Sequence, residues 1–127
     1  MILADTSIWI DHLHHANLDL LQHLERGRIV MHPFIVAEVA LGSLHNRRKT
    51  LALMEELGRV EVVHLDEVRS MIEVHSLYSH GIGLTDAHLL ASCLITPGTQ
   101  LWTRDSRLRR VAQALGVHAE LPPFTAN

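Results

Sequence analysis

Short runs of apolar and β-branched residues alternate along this chain with helix-patterned stretches of about 8 to 16 residues, and no other feature narrows its possible folds as much. The runs are Ile2-Leu3-Ala4, Ile29-Val30-Met31, Val60-Glu61-Val62-Val63, Gln100-Leu101-Trp102-Thr103 and Gly116-Val117-His118-Ala119. Strands separated by helices pair in parallel, because a parallel pair needs a long crossover that a helix supplies. The rhythm therefore predicts a parallel, doubly wound α/β sheet in a single domain over residues 1–127. A domain of 127 residues buries a sizeable core without staples.

Start and stop signals place the helices at 7–13, 17–25, 33–44, 47–57, 66–80, 85–95 and 106–115. Pro33 suits a first helical turn because its φ is already helical. Gly58, Gly81 and Gly116 stand where C-terminal caps belong, and Asp66 stands at an N-cap. The tail from Pro122 to Asn127 reads as irregular.

The first run ends on Asp5, followed at once by Thr6 and Ser7. Capping accounts for part of this, since a short side-chain oxygen satisfies an orphan N–H at a helix start. In an open α/β sheet, however, the carboxyl ends of strands are where ligands bind. Asp105 occupies the same kind of position after the run at 100–103. Glu38 interrupts Pro33-Phe34-Ile35-Val36-Ala37-Glu38-Val39-Ala40-Leu41, otherwise apolar all round. Such a helix is expected to be buried, and a buried carboxylate needs either an arginine or a metal. Asp86 opens the apolar helix Thr85-Asp86-Ala87-His88-Leu89-Leu90, where the helix dipole favours an acid. Gly81-Ile82-Gly83 before it permits a tight loop that delivers this N-terminus to a crowded place.

Four carboxylates converging without a cation would repel strongly in a low-dielectric cleft, and a divalent metal resolves that conflict. Oxygen ligands without thiolates favour Mg²⁺ or Mn²⁺, which keep waters and complete their shells with phosphate oxygens. Metal-assisted phosphodiester hydrolysis is the chemistry such a site suits.

Asp5-Thr6-Ser7 on a first strand, Glu38 in VAEVALG, Asp86 in GLTDAHLLA and Asp105 in LWTRDSRL together resemble the PIN-domain ribonucleases, in particular the VapC toxins of type II toxin–antitoxin pairs. The resemblance spans essentially the whole chain. It implies a three-layer α/β/α sandwich with a central parallel sheet of four to five strands, a homodimer, Mg²⁺-dependent endoribonuclease activity and inhibition by a small VapB-like antitoxin. By that analogy Asp5, Glu38, Asp86 and Asp105 are the catalytic and metal-binding acids. Thr6, Ser7 and Thr103 are supporting hydroxyls, and Glu38 or Asp86 is an alternative general base. The chain departs from the family pattern at His32-Pro33, where a small hydroxyl residue is expected, so His32 either faces RNA or caps a strand.

The net charge of −3 offers no global field for nucleic acid, so RNA contacts must be local. Arg104 and Arg107, beside Asp105, are candidates to hold the RNA backbone. Arg47-Arg48-Lys49 reads either as a solvated face or as a second phosphate-contacting patch. Asp11, His14 and His15 lie on one side of a helix and form a conceivable zinc site. The single Cys93 forms no internal disulfide, no apolar stretch has membrane-spanning length, and residues 1–10 lack a leader pattern. A reducing cytoplasm is the expected compartment. Apolar faces after Glu38 and at Leu51-Ala52-Leu53-Met54 fit a dimer or antitoxin surface. A phosphoacceptor domain is disfavoured, because it needs an acidic pair after the first strand and a late lysine, and the only lysine is Lys49. The other rival is a catalytically inactive PIN-like scaffold serving as an interaction module, against which the complete acidic set argues.

Overall fold

The computed structural model describes residues 1–122. Three strands, β1 (Ile2–Ala4), β2 (Ile29–Val30) and β3 (Gln100–Trp102), form one parallel sheet in the order β2-β1-β3. The register sets Leu3 opposite Val30 on one side and Ala4 opposite Trp102 on the other. β1 is buried along its whole length, as a strand covered on both faces must be. Leu3, Ala4, Leu101 and Trp102 form the centre of a single main core.

The sheet is narrower than the four to five strands that the family resemblance implies. The run at 60–63 meets it through one parallel bridge, Met31 to Arg59. Met31 N–H donates to Gly58 at 2.7 Å and Val60 N–H to Met31 at 3.1 Å. Glu61 N–H then turns to Thr96 Oγ1 at 3.1 Å, so the ladder stops. The cause lies in β2, where Pro33 lacks an N–H and begins a helix, leaving little edge to pair with. The run at 116–119 likewise holds one bridge, Leu101 to His118, before Leu121 N–H folds back to Ala119.

Among the described residues, seven helices surround the sheet: α1 (Thr6–His14), α2 (Leu18–Glu25), α3 (Pro33–Ala40), α4 (Arg47–Glu56), α5 (Leu65–Val74), α6 (Leu84–Ile95) and α7 (Ser106–Ala114). α1 packs on α3 and α3 on α4, while α5 packs on α6. The right-handed rule for parallel crossovers assigns these two groups to opposite faces of the sheet.

Two helices are shorter than the pattern predicts. α3 ends at Ala40 rather than 44, and Arg47 caps its exposed end by donating to the Ala40 and Gly42 carbonyls. α5 ends at Val74 rather than near 80, because Ser76 and Ser79 adopt positive φ of 53° and 65°. His64, not Asp66, occupies its N-cap. The irregular tail expected from 122 lies, beyond Pro122, outside the described residues.

All three strands hand over directly to a helix. Asp5 caps α1, His32 caps α3 and Asp105 caps α7. The chain leaves β1 towards β2 and leaves β3 towards the opposite edge. The carboxyl ends of β1 and β3 therefore flank the switch point at which α/β sheets bind ligands.

Candidate active site

Asp5 sits at that switch point and is only 5% exposed. Its Oδ1 accepts the Ser7 hydroxyl at 2.5 Å and the Ile8 N–H at 3.3 Å, and its Oδ2 accepts the Thr103 hydroxyl at 2.5 Å. Burial pushes the Asp5 carboxyl above its ordinary value. The Ser7, Thr103 and Ile8 donors oppose that rise, and the charge of Asp86 adds to it. The two hydroxyls are themselves fixed, since Arg104 N–H donates to Ser7 Oγ and Asp105 N–H to Thr103 Oγ1, both at 3.0 Å. A buried carboxylate is thus held at one rotamer by donors on two chain segments nearly a hundred residues apart.

Glu38 projects from α3 towards the start of α1. Its Oε1 accepts the Thr6 hydroxyl at 2.6 Å, so the partner that a buried acid requires is a hydroxyl rather than an arginine. The helix carrying it is not buried on every side: Ala37 is exposed, Leu41 is 88% exposed and Glu38 itself is half-buried.

Asp86, half-buried in the first turn of α6, accepts the Gly83 N–H at 3.0 Å. Its carboxyl is also raised, first by burial and then by the charges of Asp105 and Glu38, against the lowering effect of the Gly83 bond. Asp105 is exposed and caps α7 by accepting the N–H groups of Arg107 at 2.8 Å and Leu108 at 3.4 Å. Asp86 therefore lies within electrostatic reach of each of the other three acids at the carboxyl edge of the sheet.

The donor set suits a hard divalent cation that keeps much of its water. Every candidate ligand is a carboxylate oxygen, and the lone thiol, Cys93, is buried in α6 with its pKa pushed up to about 12 by desolvation. Among the described residues, no three His, Cys, Asp or Glu side chains converge closely enough to cage an ion by themselves. Mg²⁺ does not require such a cage, because it binds through one or two carboxylates with waters and phosphate filling the rest. A transition-metal site at Asp11, His14 and His15 finds no support in the same geometry. Asp11 pairs with Arg104 at 3.1 Å, and the two histidines are exposed.

The residues expected to touch RNA divide. Arg104 is exposed but engaged with Asp11, and Arg107 is exposed at the start of α7. His32 does not reach the surface. It is fully buried, its Nδ1 accepts the Phe34 N–H at 3.0 Å, and it is a helix cap rather than an RNA contact. Burial, with the nearby His88 and Arg59, lowers its pKa to about 4, so the ring is neutral at physiological pH. His88, which no sequence signal singled out, is buried beside it with ring centroids 6.4 Å apart. Its apolar helix gave no hint that a polar ring faces inward there.

The family model of the PIN domain matches residues 2–114 of the chain. The chain is 40% identical over 117 residues to proteins named Ribonuclease VapC32 from two strains of Mycobacterium tuberculosis, CDC 1551 / Oshkosh and ATCC 25618 / H37Rv. Each alignment covers 92% of this chain and 94% of the relative. Matched over nearly its whole length and carrying its acids at the switch point of a parallel sheet, the chain belongs to the PIN-domain family, among its VapC members.

Proposed function

We propose that this protein is an endoribonuclease toxin of the VapC type, dependent on Mg²⁺ or Mn²⁺, that hydrolyses RNA phosphodiester bonds and is inhibited by a small VapB-like antitoxin. It works in the cytoplasm as a homodimer, as one PIN domain over residues 1–127. The observation that carries this reading is the placement of Asp86 within electrostatic reach of Asp5, Glu38 and Asp105 at the sheet's switch point. The names of its relatives agree with it.

The four acids are the residues that would hold the metal, directly or through water. When bound, the metal supplies a polarised water and neutralises charge developing on the phosphate. The protein's own contribution is positional. Thr103 and Ser7 hold both oxygens of Asp5, and Thr6 holds one oxygen of Glu38, so the carboxylates do not have to be ordered when substrate arrives. The raised proton affinity of Asp5 and Asp86 expresses the same design, a site whose negative charge is incomplete without a cation. Arg104 and Arg107, exposed around Asp105, hold the RNA backbone away from the scissile bond.

The partner surface is supported by apolar area that the monomer leaves uncovered. Leu41 is exposed just after α3, and Leu53 lines an apolar groove of about 500 Å³ with Trp9, Leu13, Leu24 and Met54.

Purified, antitoxin-free protein incubated with total bacterial RNA and Mg²⁺ tests the activity. Discrete cleavage products that disappear with EDTA and with Asp5→Asn are the expected result. Intact RNA across all classes would instead favour a catalytically inactive interaction module.

A further inference from the structure

Beside the acidic crevice, a second concavity of about 470 Å³ opens between the 75–81 segment and α7. His75, Ser79, His80, Arg107 and Arg110 form its polar rim. Leu77 and Val111, both buried, form an apolar floor. Among the described residues no carboxylate lines it. In a chain with a net charge of −3, two guanidinium groups converging on an acid-free hollow make a local positive field that the composition does not predict.

The hollow is shaped by the fold rather than by loose side chains. Ser76, Ser79 and Gly81 all adopt positive φ, which curls the segment after α5 against α7. The ring of His80 is tied to the Ser76 carbonyl through Nε2 at 3.1 Å. The Arg107 side chain lies across Gly81, where a Cβ would come within 2.9 Å of its Cδ and 3.1 Å of a terminal nitrogen. The φ of +76° favours glycine here, and a Cβ would push the flexible Arg107 side chain aside.

The hollow is continuous with the crevice along the chain. Arg107 lies two residues after Asp105, and Gly81 precedes Gly83, whose N–H holds Asp86. Arg110 lies about 7.5 Å along the helix axis from Asp105 at the usual rise per residue.

We propose that this concavity is a subsite for the nucleotide flanking the cleaved bond of a single-stranded RNA segment, an inference that rests on the ribonuclease reading of the adjacent crevice. Arg107 and Arg110 take the flanking phosphate, for which the guanidinium fork is suited. The base, unstacked as single-stranded recognition requires, lies on the Leu77 and Val111 floor. A volume of this size accommodates a nucleotide and falls within the range of small-ligand sites.

The test is binding of a fluorescent, mixed-sequence single-stranded RNA oligonucleotide to full-length Asp5→Asn protein, read by anisotropy over a series of salt concentrations. Adding Arg107→Gln with Arg110→Gln should weaken binding by about tenfold and reduce the slope of log affinity against log salt by roughly 0.7 to 1.4, one or two phosphate contacts. Adding Gly81→Ala instead removes no charge but displaces Arg107, and should weaken binding several-fold. Arg26→Gln with Arg28→Gln, the same charge loss on exposed arginines after α2, should leave affinity within about twofold. Thermal unfolding of each variant checks that the fold is retained.

Unchanged affinity and slope in the Arg107/Arg110 variant, with the parent still binding RNA, would overturn the subsite and leave the ribonuclease reading standing. Equal losses from the Arg26/Arg28 pair would overturn it by reducing the effect to net charge. Loss of affinity for an acidic antitoxin peptide with RNA binding intact would assign the hollow to a protein partner instead. A parent that neither binds RNA nor, as wild type, cuts it would remove both readings together.

Discussion

Asp5 and Asp105 begin as the same local device and end as different ones. Each follows a parallel strand, each is extended in backbone, and each caps the helix that comes next. Asp5 is buried and accepts three hydrogen bonds, one from a residue beyond β3, whereas Asp105 is exposed and accepts only from the helix it caps. The difference arises from strand position. β1 is central, so its end is enclosed by neighbours, while β3 has only a single bridge on its outer side. A capping motif therefore becomes a poised acid only where the sheet encloses it.

The most severe test of this contrast replaces each carboxylate by its amide. Asp5→Asn should reduce RNA cleavage by at least 10²-fold, beyond the usual cost of disturbing a metal site's supporting shell. Asp105→Asn, altering an exposed charge that water screens, should cost roughly tenfold. Equal losses would show that burial does not distinguish the two acids.

The hydroxyl that only Asp5 possesses comes next. Thr103→Val preserves shape but removes the donor to Asp5 and the acceptor for the Asp105 N–H. Activity should fall roughly 10- to 100-fold, and chemical denaturation should show about 1–3 kcal/mol lost to unsatisfied buried groups. A variant with unaltered kinetics would reduce the Thr103 bond to a structural detail.

His32, the cap at the end of β2, sharpens the comparison through pH. Its folded pKa, near 4, lies below the ordinary 6.5, so the unfolded chain takes up the proton first. Stability should be full above about pH 6.5 and decline as pH falls towards 4, by a few kcal/mol at most. His32→Asn keeps a capping oxygen and should flatten that part of the profile in thermal unfolding. Asp5 acts in the opposite sense. Burial raises its carboxyl, so folding disfavours the ionised form at neutral pH, and the penalty fades as pH falls towards the ordinary 3.8. In EDTA-treated protein, Asp5→Asn should therefore unfold at a higher temperature than wild type at pH 7, with the gap closing under acid.

The smallest effect belongs to the cap alone. Asp105→Ala should cost about 1 kcal/mol of stability and Asp105→Asn close to nothing, since asparagine caps as well. A large loss from the amide would mean that Asp105 is held by more than α7.

Much of this was open to reading from residue order. β1, β3, the start of α3 at Pro33 and the four acids all follow from local signals that do not depend on distant contacts. The runs at 60–63 and 116–119 look like full strands because β-branched residues favour pleated surfaces, but pairing length depends on the neighbour, and β2 offers almost none. The residues after Val74 carry a helical pattern through His80, yet the positive φ of two serines breaks it. His32 was legible as a polar residue at a strand end, but its burial depends on Phe34 and on His88, some fifty-six positions later.

Sequence by itself determined the alternation of elements, the residues at which strands stop and the chemical type of every candidate ligand, because these are properties of adjacent residues. Only the tertiary structure decided which carboxylate is enclosed and which is washed by solvent, which hydroxyl serves which acid, and that Arg107 and Arg110 border a hollow with the 75–81 segment. Desolvation and electrostatic coupling act through space, and the fold of the chain around the sheet is what brings residues 5, 38 and 105 within reach of the charge of residue 86.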